Sequence, residues 1–358
     1  MTVVVRTDQW HPDMEAVRKG ASVIKAGGTV IFPTETVYGL GANALSAEAC
    51  LKVFRAKNRP ADNPLIVHVC DMEGFLRVAE NPPEGLVSAL KALWPGPLTV
   101  LVRKRDVVPD VTTGGSPYVA VRMPDNPLAL ALIRESGVPI AAPSANLATR
   151  PSIVDSSQAI REMYGRVDLI YDCGPVRIGV ESTILDMRGG TPRLLRPGGY
   201  PVEFLERHFG EIEVTDEARG LRLSPVALTP GMKYRHYSPS VQMFMADVDT
   251  IRELCATGRK DITVIAEHSV CGVCRADCID LGLTMEDVAR NLFSAFLALE
   301  TRGSRAGFIQ KFGEGGLGLA IMNRIRKASS GEVHSLGEAL ALVGDGPSGI
   351  GGGALKGH

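Results

Sequence analysis

Several short sets of residues in this chain have the chemistry to hold an anionic or small polar ligand. Lys57 and Arg59 stand one residue apart in RAKNRPADNPLIVH at 55–68, where a helix should end and a Pro-broken loop begin. In an extended segment that alternation points both cations at one ligand, Arg as a fork for phosphate oxygens and Lys as a compact charge. Cations also decorate helix C-termini to suit the macrodipole, and the pair alone leaves both uses open. Ser144 and Asn146 follow the apolar run 138–142. Small polar residues at the carboxyl end of a buried strand sit where open α/β sheets bind ligands, although Ser and Asn also form ordinary turns. Ser152 lies in the same loop. PTETVYGLG at 33–41 reads as a loop after an apolar strand, its glycines permitting close backbone approach and its hydroxyls suiting a small amino acid. Arg122 at a strand end, Glu181-Ser182-Thr183 entering a strand, and Arg196 in LLRPG complete the sets. Each falls at an inferred strand–loop junction.

Two other signals are weaker. Gly313 to Gly318 match G-x-G-x-x-G between a strand and a helix, but no convincing strand with an acidic residue follows about 20 positions on, so a helix start is the better reading. Cys271, Cys274 and Cys278 have the look of a metal knuckle, with Cys255 or His268 as a fourth ligand, but the spacing follows no common finger. There is no G-x-x-x-x-G-K-[ST] loop, no H-E-x-x-H and no G-x-S-x-G.

The elements that must position these groups alternate along the chain. Helices are expected over 13–26, 47–56, 72–79, 85–93, 127–136 and 156–164, and strands over 29–33, 65–69, 98–102, 119–122, 139–142, 169–172 and 183–186. This is an α/β pattern. Residues 211–240 are polar and Pro-punctuated without a sustained period, and read as a linker whose second half is too rich in aromatic and basic side chains to be a passive spacer. Beyond it, apolar stretches at 241–245, 262–266 and 306–310 and helices at 284–300 and 319–327 suggest a smaller α/β unit. The organisation expected is therefore 1–210, a linker at 211–240, a second domain at 241–343, and a Gly-rich disordered tail at 344–358. With 39 Lys and Arg against 40 Asp and Glu, no overall field recruits nucleic acid, so strong direct nucleic-acid binding is not expected. The first residues lack the apolar run and cationic leader of a secretory signal, and no stretch could span a membrane. Seven cysteines are expected to stay reduced in a cytoplasmic protein.

Taken together, PTETVYGLG at 33–41, KNRP with NPLIVH at 57–68, VAVRMP at 119–124, PSAN at 143–146, ESTILD at 181–186, LLRPG at 194–198 and PGMKYRHYSP at 230–239 resemble the YrdC-type threonylcarbamoyl-AMP synthase family in its long, two-domain form. That resemblance implies a twisted open-sheet catalytic domain, a linker that closes over the active site, and a Rossmann-like second domain ending in GLGLAIMNRIRKA. It implies nucleotidyl transfer: threonine and bicarbonate give a carbamate that attacks the α-phosphorus of ATP, with Mg²⁺, releasing pyrophosphate. The product would pass to a tRNA threonylcarbamoyl transferase. By the same resemblance Lys57, Arg59, Ser144 and Asn146 form the reaction site. Arg59, Asn63, Ser144, Asn146, Ser152, Arg196 and the linker's Tyr234 contact ATP, while Thr36, His68, Arg122 and Ser182 contact threonine; no protein metal site is implied. The segment 147–152 departs from the pattern, lacking the Ser-Gly that relatives often carry before the Pro. An RNA-binding module or a carbamoyltransferase-type domain are the competing readings.

Overall fold

Short apolar runs bounded by Gly, Pro and polar turns pair into an 11-stranded mixed sheet in the computed structural model, which describes residues 1–222, 228–229 and 237–344. Tyr234, most of the expected lid at 230–239 and all of the expected tail after Gly344 lie outside the described residues. The sheet is centred on Ile140–Ala142, Ile66–His68, Tyr118–Arg122, Leu98–Arg103 and Thr183–Asp186, in that spatial order. Its register sets His68 against Arg122, Arg122 against Thr99, and Leu98 against Thr183. Residues far apart in sequence thus meet at one end of the sheet's central strands.

One expected loop is partly strand. Gly39–Asn43 pairs antiparallel with Val30–Phe32. A Cβ at Gly41 would come within 2.5 Å of Ile140 Cγ2 and 2.7 Å of Phe32 Cε1, so this glycine serves packing between strands rather than approach to a ligand. The helix Ala47–Lys57 starts at Ser46, whose hydroxyl caps the Ala49 N–H. It ends at Asn58 in the left-handed region, φ 52° and ψ 42°. Lys57 and Arg59 therefore flank a helix-terminating turn, not the extended segment their alternation suggested.

A second, 5-stranded sheet is parallel in every pair and runs Asp277–Asp280, Ile262–Ala266, Ala306–Gln310, Met243–Ala246, Gly331–Glu332. It has the parallel α/β make-up of a Rossmann-like unit, with the strand Ala306–Gln310 inserted between the first two in chain order. The glycine motif thus follows the fourth strand of this unit, and a Cβ on Gly318 would collide with the carbonyl of Gly313. That glycine closes a turn into the helix Gly318–Ala328.

One apolar cluster runs through both sheets, joining Leu40, Val67 and Val180 to Phe293, Ile321 and Ile325. Gly179, at φ 86°, lies so close to the backbone of Ala289 and Arg290 that no side chain could fit. The expectation of reduced thiols near the C-terminus is corrected: Cys255 bonds Cys274 and Cys271 bonds Cys278. Their Cα separations, 4.6 and 5.7 Å, suit such bridges, and the knuckle's sulfurs are consumed by them. Cys50, Cys70 and Cys173 remain free, and no His, Cys, Asp or Glu cluster among the described residues could hold a metal.

Candidate active site

At the strand ends where His68, Arg122 and Ser182 meet, a cavity of ≈ 260 Å³ opens. Lys57, Arg59, Asn63, His68, Arg122, Ser144, Asn146, Ser182 and Arg196 all line it. Basic side chains from three separate stretches, Lys57 with Arg59, Arg122, and Arg196, therefore face one space.

The lining groups are tied to one another. The Lys57 side chain is 1% exposed, and its ammonium donates to the carbonyl of Ser144 at 2.5 Å and to that of Asn146. Burial, with Arg59 nearby, pushes this amine well below its usual pKa. Lys57 thus builds the site by joining the helix end to the Ser-x-Asn loop. Ser144 Oγ donates to Asn146 Oδ1 at 2.5 Å, and Asn146 Nδ2 donates to the carbonyls of Leu147 and Arg150 at 2.7 and 2.9 Å. Arg59 donates to the carbonyls of Asn63 and Pro64 at 3.2 and 3.0 Å, which folds the Pro-broken loop back on itself.

On the opposite wall, burial and then the charge of Arg122 bring the pKa of His68 down to about 3, so its imidazole is neutral. Arg122 lies 2.6 Å from Glu35, both side chains almost wholly buried. Arg122 Nη2 is held in that ion pair, while its buried Nε has no hydrogen-bond partner. Arg196 donates Nε and Nη2 to the Ser182 carbonyl at 3.1 and 2.9 Å, and Nη2 also to the Ser182 hydroxyl at 3.1 Å. Ser182 Oγ shares a further hydrogen bond with Thr99 Oγ1 at 2.7 Å. Glu181 is buried beside them. Burial alone would raise its pKa, but Arg324 and Arg196 overcome this and hold it at about 2.

Two residues singled out from the sequence stand behind the cavity wall. Thr36 is fully buried and shares a 2.8 Å hydrogen bond with Thr34, and it is Thr34 that reaches the cavity. Ser152 is fully buried and donates to Glu181 Oε1 at 2.6 Å. The departure at 147–152 has a backbone signature, since Thr149 has φ 72°, a conformation that favours glycine. Its carbonyl accepts the Ser238 N–H at 3.1 Å, fastening the linker's end to the cavity rim.

Sequence reasoning missed three participants. Glu35 sits inside PTETVYGLG, and a buried partner for Arg122 was a foreseeable need. Tyr237, three residues beyond Tyr234 in the linker signature, lines the cavity and packs on Phe293 with centroids 5.1 Å apart. Arg324 reaches Glu181 from the second unit, and no local pattern announces it.

Comparison with known proteins gives a consistent result. The family model of the Sua5, YciO and YrdC proteins, described as "Telomere recombination", matches residues 22–198. That of the "Threonylcarbamoyl-AMP synthase, C-terminal domain" matches residues 201–330. The threonylcarbamoyl-AMP synthase of Pyrococcus abyssi is 43% identical over 342 residues, covering 92% of this chain and 98% of the relative. That of Bacillus subtilis is 39% identical over 337 residues, covering 91% and 96%. The crystal structure of P. abyssi Sua5 complexed with L-threonine superposes with a TM-score of 0.86 at 42% identity, covering 93% of this chain and all of that one. The E. coli YciO structure shares the fold of about half the chain, with a TM-score of 0.51 at 21% identity.

Proposed function

This chain belongs to the threonylcarbamoyl-AMP synthase family, and on that premise we propose that its cavity joins L-threonine, bicarbonate and ATP into threonylcarbamoyl-AMP and pyrophosphate. The observation that carries this reading is the convergence of Lys57, Arg59, Asn146 and Arg196 on one cavity that also holds His68, Arg122 and Ser182.

The chemistry fits such a site. Bicarbonate gives up carbon dioxide and hydroxide, threonine's amine adds to the carbon dioxide to form a carbamate, and the amine proton leaves with the hydroxide as water. A carbamate oxygen then bonds to the α-phosphorus of ATP while the bond to the β-phosphate bridging oxygen breaks, and pyrophosphate leaves. This step needs alignment and charge stabilisation rather than a protein nucleophile. Arg122 takes the threonine carboxylate, with neutral His68 and the Ser182 hydroxyl bounding the amino-acid end. Arg59 and Arg196 face the phosphates, and Ser144, Asn146 and Asn63 supply uncharged contacts to the nucleotide. Ser152 acts through Glu181, and Thr36 through Thr34. Among the described residues, the one carboxylate lining the cavity, Glu181, is already committed to Arg324. Mg²⁺ therefore enters as the counter-ion of ATP, part of the substrate rather than a resident of the protein.

Leu228 packs against the apolar cluster of Ile66, Leu101, Ala120, Ile184 and Leu195, and Tyr237 lines the cavity, which supports a linker that covers the nucleotide and keeps water from a hydrolysable mixed anhydride. Tyr234 is assigned to that cover. The product goes to a transferase that modifies tRNA, in the cytoplasm. No helix among the described residues is long and apolar enough to cross a membrane. The two cystine bridges are uncommon in a reducing compartment outside hyperthermophiles. The test is pyrophosphate release by the full chain with each substrate omitted in turn. Release that requires both threonine and bicarbonate supports the reading, and release indifferent to threonine sinks it.

A further inference from the structure

Arg324 sits at the middle of the helix Gly318–Ala328 in the second unit and is completely buried. Its Nε and Nη2 donate to the same Glu181 oxygen at 2.9 and 2.7 Å. Its Nη1 donates to the carbonyl of Pro197 at 2.5 Å. Glu181 adjoins Ser182, and Pro197 adjoins Arg196. Ser182 and Arg196 are the two cavity residues hydrogen-bonded to each other. The other Glu181 oxygen accepts from Ser152. One guanidinium thus braces, from behind the wall, the two stretches whose front faces meet the ligand.

We infer that Arg324 is a positioning residue for the reaction: supplied by the second unit, it clamps Glu181 and Pro197 so that Ser182 and Arg196 hold their places in the cavity. The inference rests on the functional reading above and extends it to the second unit. The physical reason is competition for Glu181. Arg196 already feels that carboxylate, and Arg324 satisfies it. Without Arg324, a buried carboxylate loses its hydrogen-bonded cation, and Arg196, whose charge it already feels, is drawn to it. Arg196 would then turn from Ser182 towards Glu181 and abandon the cavity. Simple adhesion between the two units would not need a charge here, because a buried ion pair adds little stability over well-packed apolar side chains of similar volume.

The test uses the full chain and three variants, R324K, R324M and the double variant R324M/E181M, with thermal midpoints and steady-state kinetics of threonine-dependent pyrophosphate release. R324K keeps the charge but not the three-way grip. It should fold with a near wild-type midpoint, lose about tenfold or more in kcat, and raise KM for threonine, because displacement of about 1 Å costs on the order of 100-fold in rate. R324M should lose more of both rate and stability. R324M/E181M should regain the midpoint without regaining kcat. Wild-type kcat and KM in R324K, or full activity in the double variant, would overturn the clamp. Wild-type enzyme in the same assay separates the two ideas. If it releases no threonine-dependent pyrophosphate the assigned reaction fails, whereas an active wild type with an equally active R324K rejects only the role of Arg324.

Discussion

At the scale of single residues, the site divides its cations between building and binding. Lys57 spends its ammonium on the carbonyls of Ser144 and Asn146, whereas Arg59 sits half-buried on the cavity rim. Arg59→Ala should reduce threonine- and bicarbonate-dependent pyrophosphate release by roughly 100-fold or more, the loss expected when a preorganised charge donor is removed, while the chain stays folded with a modestly lowered thermal midpoint from the two lost hydrogen bonds to the Asn63 and Pro64 carbonyls. Turnover kept in that variant would count against the assignment. His68 makes a separate prediction. Its folded pKa of about 3 lies below the ordinary 6.5, so the unfolded chain binds a proton that the fold excludes between those values. Stability should fall as pH drops from 6.5 towards 3, by at most about 1.4 kcal/mol per pH unit from this group. His68→Gln should flatten that slope in urea denaturation, and an unaltered slope would show that His68 is not the source. Both residues were legible in the sequence because each lies in a short, chemically dense motif. Arg324 was not, because its partner stands 143 positions away and only the tertiary fold unites them.

At the scale of elements, glycine decides how closely strands and turns approach. Gly198 in LLRPG lies against the backbone of Glu181, Ser182 and Thr183, with no room for a Cβ. Gly198→Ala should therefore destabilise the chain by about 2 kcal/mol or more and displace Arg196, in line with the cost of overpacking. Gly189→Ala, where the nearest atom would be Thr191 O at 3.8 Å, should be nearly neutral, and equal midpoints for the two variants would reject this account. Thr149 runs the other way. Relieving its positive φ with Thr149→Gly should raise stability by about 1 kcal/mol, measured by denaturation, after the entropic cost of glycine is subtracted. The same residue type explains what the sequence concealed. The helix Pro127–Ser136 was readable to its last residue because Asn126, Pro127 and Gly137 mark its limits. The strand Gly39–Asn43 was hidden, since two glycines erase the alternation that betrays a strand. Strand order was beyond reach altogether, being set by long-range pairing.

At the scale of the whole molecule, one apolar core runs beneath both sheets, and polar ties such as Arg150–Glu300 at 2.7 Å cross between the units. Calorimetry of the full chain should therefore show a single cooperative transition, and two well-separated peaks would show that the units unfold independently. The shared Glu181 also imposes an order in time. Its two oxygens are claimed by Ser152, early in the chain, and by Arg324, near its end. During synthesis at about 5–20 residues per second, a nascent chain can fold its first sheet well before residue 324 leaves the ribosome. If Arg324 braces the wall as inferred above, a nascent chain whose helix Gly318–Ala328 has not yet docked has an incomplete wall around Ser182 and should turn over more slowly than the finished chain.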